Sequence, residues 1–278
     1  MTGPRRIGLR EAAERLGVHY MTVYRYVRTG QLPAVRDGAQ WTVAVSDLRR
    51  VGPARKVAPR HRTARAERPA RLVDRMVAGD EAGAWAVVEG ALSSGADPEN
   101  IYIDLLTPSL RAIGDGWERG ELSVAEEHRA SAVAARIIGR LGPRFARRGR
   151  TRGTVVLGAP PDEHHGLPGA IVADLLRIDG FEPLELGANT PAQSFAETAL
   201  GADRLVAVLI GATTPRPGTA VRTVVQALRQ AGVTAPILVG GRAITDLDHA
   251  RKLGADGWSG TDAVSAVAAV EAAADRGR

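Results

Sequence analysis

The chain has 278 residues, enough for two or three domains, and its 44% hydrophobic and 24% charged residues are a globular composition. It holds no cysteine, which excludes disulfides, thiolate metal sites and cysteine nucleophiles and fits a reducing cytoplasm. The net charge of +6 permits a polyanionic partner, and with no apolar run near the ~20 residues of a membrane span and no signal-peptide core, a cytoplasmic protein without a membrane segment is expected.

Residues 1–50 read as helix, turn, helix and hairpin. Leu9 to Leu16 is a short amphipathic helix, broken at Gly17-Val18-His19. A second helix runs from Met21 to Arg28 and stops at Gly30, a residue suited to the position just past a helix end. Leu32 to Arg36 and Gln40 to Val43 flank Asp37-Gly38, a hairpin signal, and Ser46-Asp47-Leu48 starts a last short helix. The order predicts a winged helix-turn-helix domain for double-stranded DNA. With the second helix in the major groove, Thr22, Tyr24, Arg25 and Arg28 are the candidate contacts, joined by Arg36 in the wing. An arginine there can pair with guanine or hold phosphate. The competing reading is a small helical protein-interaction domain with solvated arginines. The block resembles excisionase-type and MerR-type DNA-binding heads through Glu11-Ala12-Ala13, Leu16-Gly17-Val18, Thr22-Val23, Tyr26-Val27 and Gly30-Gln31-Leu32-Pro33.

Residues 51–69 lie in a basic stretch: from Arg49 to Arg71 there are nine Lys or Arg against one acid, Glu67. No helical or strand period is evident, and a flexible linker that adds phosphate attraction, or a plain solvated tether, is expected. Residues 70–150 read as a four-helix bundle. The first helix spans Ala70 to Ala78, the second follows Asp80 as N-cap to Leu92, and the third opens with Asp97-Pro98-Glu99 and should kink at Pro108. The fourth opens with the capping box Ser123-Val124-Ala125-Glu126 and runs to Leu141.

Residues 151–278 alternate strand and helix. Strands are expected at Thr154–Leu157, Pro183–Leu186, Leu205–Ile210, Ile237–Val239 and Gly257-Trp258. Five such units predict a flavodoxin-like, doubly wound parallel sheet with right-handed crossovers. Its ligand edge lies at the carboxyl ends of the strands, where Gly187, Gly211 and Gly240-Gly241 stand and where glycine lets a ligand approach the backbone. Asp162-Glu163-His164-His165 follows the first strand. Adjacent histidines cannot point the same way, so at most one faces the crevice, with Asp162 or Glu163 positioned to fix its tautomer if it binds a metal. For an isolated pair, a surface loop is the plainer reading.

This block resembles the base-off, His-on cobalamin-binding domains, which carry Glu/Asp-x-His-x-x-Gly after the first strand, Ser-x-Leu after the third and Gly-Gly after the fourth. Glu163-x-His165-x-x-Pro168 matches the first motif with Pro for Gly, Gly169 following; Gly211-Ala212-Thr213 stands in place of Ser-x-Leu; Gly240-Gly241 matches outright. The resemblance implies His165 as the lower cobalt ligand and Glu163, Gly187, Gly211, Thr213, Gly240 and Gly241 around the cofactor.

In the bundle, Trp117 alone reads as core packing and Glu127-His128 as a solvated first turn. Together, Trp-x9-Glu-His is similar to the bundle of the CarH- and LitR-type light-responsive regulators, in which it caps the upper face of adenosylcobalamin. The resemblance implies that Trp117, Glu127 and His128 contact the upper ligand. It departs at Glu118, where that family has a histidine which captures cobalt after light removes the upper group.

The expected function is a DNA-binding transcription regulator, not an enzyme, that responds to adenosylcobalamin and light through homo-oligomerisation. The alternatives are a corrinoid methyl carrier serving a methyltransferase, and a DNA-architectural factor with a non-cobalamin dimerisation domain. Walker A, HExxH and GxSxG motifs are absent.

Overall fold

The computed structural model describes residues 5–16, 18, 23–24, 26–27, 30–37, 40–51, 59–146, 149–215 and 217–276. The chain divides into two compact units, residues 1–65 and 66–278. Among the described residues no helix is long and apolar enough to cross a membrane.

In the first unit, β1 (Arg6–Gly8) leads into α1 (Leu9–Leu16), followed by β2 (Ala34–Asp37), β3 (Gln40–Ala44) and a 3-10 turn at Val45–Arg50. Leu9, Ala12, Ala13 and Leu16 recur at helical spacing and form the buried stripe of α1. The hairpin is present, with Val35 opposite Thr42. β3 also pairs antiparallel with β1, a strand too short for any sequence pattern to announce. Val23, Tyr24, Tyr26 and Val27 are helical. Thr22, Arg25 and Arg28 lie outside the described residues. Tyr24 corrects the expected DNA contacts: it is 7% exposed, like the fully buried Val23 and Leu32, so its ring packs in the core of the head and is not presented to a base edge. Arg36 is exposed on β2, its guanidinium 5.9 Å from the ring centre of Trp41.

The expected linker is also corrected. α2 runs from Pro59 to Ala78, so helix occupies most of the stretch between the head and Ala70. Arginine and alanine are strong helix formers, and Pro59 stands at the start, where its missing N–H costs no helical bond. Pro69 sits inside α2, and its carbonyl accepts from the Ser109 hydroxyl at 3.2 Å.

The bundle continues with α3 (Glu81–Ser93), capped by the Asp80 carboxylate, which accepts from the Gly83 amide at 2.8 Å. α4 (Pro98–Ile101) passes through a π turn at Tyr102–Leu106 into α5 (Thr107–Glu118). The Thr107 amide reaches back five residues to the Tyr102 carbonyl, so the missing amide of Pro108 is absorbed by a wide turn. α6 (Val124–Leu141) opens with the complete Ser123–Glu126 capping box.

β4 (Thr154–Gly158), β5 (Glu182–Glu185), β6 (Leu205–Gly211), β7 (Ile237–Gly240) and β8 (Gly257–Trp258) form one parallel sheet in the order β5-β4-β6-β7-β8. That is the flavodoxin-like 2-1-3-4-5 order. Between and after the strands run α7 (Leu167–Ile178), α8 (Ala192–Gly201), α9 (Gly218–Gln230), α10 (Leu247–Lys252) and α11 (Ala263–Arg276). Strand side chains alternate between two cores. Val155, Leu157, Ala207 and Leu209 join α7, α11 and the bundle, while Val156, Val208, Ile210 and Val239 join α8 and α9.

Bundle and sheet therefore share one apolar core, tied by a buried polar contact. Tyr102, fully buried and stacked on Phe145 with ring centres 4.9 Å apart, donates its hydroxyl to Asp174 of α7 at 2.6 Å. Asp174 also pairs with Arg177. Burial and the Asp174 carboxylate push the Tyr102 hydroxyl well above the usual phenol range, so it stays protonated and donates.

Candidate cofactor site at the carboxyl edge of the sheet

The loop after β4 is fixed by its neighbours. The Ala159 amide donates to Gly187 O at 2.8 Å, the Thr190 amide to Ala159 O at 2.9 Å, and the Asn189 amide to Glu163 O at 2.7 Å. The Asp162 amide donates to the Asn189 side-chain oxygen at 2.9 Å. Asp162 and Asn189 both have positive φ, 65° and 49°, which these residue types tolerate better than most.

This frame buries Glu163, 3% exposed, beneath His165. Its Oε2 accepts from the Thr213 and Thr214 amides at 2.5 and 2.6 Å, and its Oε1 from the Thr214 hydroxyl at 3.0 Å and the His165 amide at 3.1 Å. His165 Nδ1 lies 2.5 Å from the same Oε1. Burial pushes the Glu163 carboxyl up, but the bonds from the His165 ring, the Thr214 and Thr213 amides and the His165 amide outweigh it and hold the group down at about 2. That carboxylate raises His165 above the usual imidazole range against the pull of partial burial, and the charges of Glu163 and Glu127 add to the effect.

A carboxylate only accepts, so neutral His165 carries its proton on Nδ1 and keeps the Nε2 lone pair. The Nε2 atom has no hydrogen-bond partner among the described residues, and the side chain is 53% exposed. The choice between Asp162 and Glu163 is thereby resolved: Glu163 is the partner, while Asp162 and His164 are exposed. Pro168 is accommodated in the first turn of α7, where no amide is needed.

The glycines differ in what holds them. A Cβ on Gly240 would lie 2.2 Å from Ser259 Oγ, and one on Gly241, whose φ is +99°, would lie 2.4 Å from Ala212 O. Close packing of the strand ends requires both. Gly187 has a positive φ of 80° in open space, and Gly211 has only ordinary contacts. Thr213 enters through its amide, as a donor to Glu163.

The bundle supplies the facing half. Trp117, at the end of α5, is 47% exposed, unlike a core residue. On α6, His128 Nδ1 lies 2.8 Å from Glu127 Oε2, and the Ser131 hydroxyl donates to Glu127 Oε1 at 2.7 Å. Arg242, directly after Gly240-Gly241, reaches across to α5, pairing with Asp115 at 3.1 Å and Glu118 at 2.9 Å. Thr214, Ser131 and Arg242 were not anticipated from the sequence. The only local signal was an arginine following the double glycine.

His165 offers a single nitrogen, and among the described residues no group of three His, Asp or Glu side chains gathers as a bare ion would need. One tautomer-fixed imidazole at a sheet edge fits a metal whose other positions are filled by a macrocycle.

Residues 70–141 match the family model of the B12 binding domain, and residues 8–51 that of a helix-turn-helix domain. The chain is 32% identical over 202 residues to trimethylamine corrinoid protein 1 of Methanosarcina acetivorans, covering 69% of this chain and 91% of that protein. It is 36% identical over 105 residues to the HTH-type transcriptional repressor CarH of Myxococcus xanthus, 37% of this chain and 34% of CarH. The fold is shared with the monomethylamine corrinoid protein of Methanosarcina barkeri, with a TM-score of 0.65 and 19% identity over 74% of this chain and 99% of that one. The chain belongs to the corrinoid-protein family: it is a cobalamin-binding protein that also carries a helix-turn-helix domain.

Proposed function

We propose that this protein is a transcription regulator whose DNA binding is set by bound adenosylcobalamin and switched by light. The observation that carries the reading is the presence, in one chain, of a helix-turn-helix domain and a cobalamin edge faced by an exposed Trp117 and an oriented Glu127–His128 pair. The partial likeness to CarH supports it.

When bound, adenosylcobalamin supplies a cobalt–carbon bond that light can break. His165 would hold the cobalt through Nε2, with Glu163 fixing its tautomer. Gly187, Gly211, Thr213, Gly240 and Gly241 would border the cofactor at the strand ends, and Trp117, Glu127 and His128 would contact its upper ligand. Trp117, Glu127 and His128 would thereby couple the state of the bound cofactor to a homo-oligomer equilibrium. Several heads on one assembly bind repeated sites with avidity, through Thr22, Arg25, Arg28 and the wing residue Arg36. The protein acts as a cytoplasmic binder, not as an enzyme.

A second reading, a corrinoid methyl carrier, is favoured by the span of the match to the trimethylamine corrinoid protein. The head separates the two, since a methyl carrier has no use for it. The third possibility, a non-cobalamin dimerisation module, falls with the cobalamin assignment.

The test is the protein loaded with adenosylcobalamin in the dark and after green light, followed by absorption, size-exclusion chromatography and DNA mobility shift. A light-dependent spectrum with a change in oligomer size and DNA affinity is expected. Light-independent assembly and DNA binding, with methyl transfer to the bound cofactor by a partner enzyme, would establish the carrier instead.

A further inference from the structure

We propose that Arg242 is a positioning residue of the cofactor site: by tying the end of α5 to the sheet edge, it sets how fast cobalamin enters and leaves. This rests on the placement of cobalamin at that edge over His165.

Arg242 bridges two elements far apart in sequence. One guanidinium nitrogen lies 3.1 Å from Asp115 Oδ1 and the other 2.9 Å from Glu118 Oε2. Asp115 and Glu118 stand three residues apart, on one face of α5, so a single planar fork engages both. At its own end Arg242 is linked to His165 by a short run of hydrogen bonds. The Ala243 amide donates to Ala212 O at 3.1 Å. The next two amides, of Thr213 and Thr214, donate to Glu163, and Glu163 holds the His165 ring. Gly241 packs so tightly on Ala212 O that the two loops form one surface. The end of α5 is therefore fastened to the loops that carry the proposed cobalt ligand.

The bundle is joined to the α/β half by two ties of opposite character. Tyr102 and Asp174 form a buried hydrogen bond inside the shared core. Glu118 lies sixteen residues further along, about 24 Å on the helical rise. There the side chains of Arg242 and Glu118 are each 52% exposed. Exposed ion pairs are weak, screened by salt and readily broken, whereas the buried tie is held by its surroundings. Separation of the two halves is thus easiest at the Arg242 end, which is also the His165 end. Cofactor crosses there in either direction only with both ion pairs open. The same barrier is met on entry and on release, so Arg242 governs the rates and leaves the affinity nearly unchanged.

The experiment uses the full chain and adenosylcobalamin in the dark, at low and at high salt. Association is followed by visible absorption in stopped flow, and release by the colour retained after rapid desalting. At low salt Arg242→Ala is expected to bind and release cofactor about two- to fivefold faster than wild type, with the affinity within about twofold. High salt should speed the wild type and close the gap. Combining Arg242→Glu with Glu118→Arg rebuilds one ion pair in reverse. It should bring both rates at least halfway back to wild type, a rescue that general loosening of the loop would not show.

Arg242→Ala rates equal to wild type at low salt, a change in release alone, or a reversed pair as fast as Arg242→Ala would each overturn the role of Arg242. A His165→Ala control separates the two levels. If it binds cofactor with the wild-type spectrum, the placement over His165 fails. If its spectrum changes while Arg242→Ala exchanges cofactor as slowly as wild type, that placement stands and the role of Arg242 falls.

Discussion

Glu163→Gln is the most informative single change in the unliganded protein. The carboxylate accepts from two amides of the loop after β6, the Thr214 hydroxyl, the His165 amide and the His165 ring. Glutamine has one acceptor oxygen, and its NH2 would face donors. Leaving buried donors unsatisfied costs about 1–3 kcal/mol each. Proton linkage gives a second route to the magnitude. The fall of the Glu163 carboxyl from 4.5 to about 2 corresponds to about 3 kcal/mol of stability near neutral pH. Solvent reaching the half-exposed His165 reduces this to about 2 kcal/mol.

The sign follows from the lowered carboxyl. Its contribution is complete above pH 4.5 and is lost as pH falls towards 2. Urea unfolding followed by circular dichroism should show Glu163→Gln less stable by about 2 kcal/mol at neutral pH, with the gap closing as the medium is acidified through that window. A variant as stable as wild type at neutral pH, or a gap that does not change with acid, would refute the view that this carboxylate anchors the loops.

Tyr102→Phe removes one hydrogen bond to a buried carboxylate and should lower stability by about 1.5–3 kcal/mol in the same assay, with the strands and helices intact by circular dichroism. Gly241→Ala places a Cβ 2.4 Å from Ala212 O at a φ of +99° and should cost at least about 1–3 kcal/mol, measurable as a lower melting temperature and weaker cobalamin binding. Arg242→Ala breaks two exposed ion pairs, so the change in melting should stay within about 1 kcal/mol and shrink as salt is raised.

The α/β half was legible because fully buried parallel strands read as short apolar runs, and their carboxyl ends marked the edge where Glu163 and His165 meet. Caps were legible because they are local: Asp80 and Ser123 bond within three residues. What escaped depends on distance in sequence. Arg242 and Glu118 are 124 residues apart, and Tyr102 and Asp174 are 72 apart, so neither pairing leaves a pattern in either segment. Tyr24 was misplaced because helical spacing places residues on faces, but only the packing of the head decides which face lies against the core. The part of α2 before Ala70 was missed because its apolar residues are sparse among arginines, which hides the 3.6-residue period while raising helix propensity.

The π turn at Tyr102–Leu106 acts as a phase shifter for the site above it. Sixteen residues separate Tyr102 from Glu118. In an unbroken α-helix they would point about 160° apart around the axis; with one residue absorbed by the wide turn the difference falls to about 60°. The same rod thus presents Tyr102 to Asp174 near one end and Asp115 and Glu118 to Arg242 near the other, both toward the α/β half. The azimuth of Trp117 is fixed by the same offset, so an irregularity several turns away decides which way the indole at the cofactor edge faces.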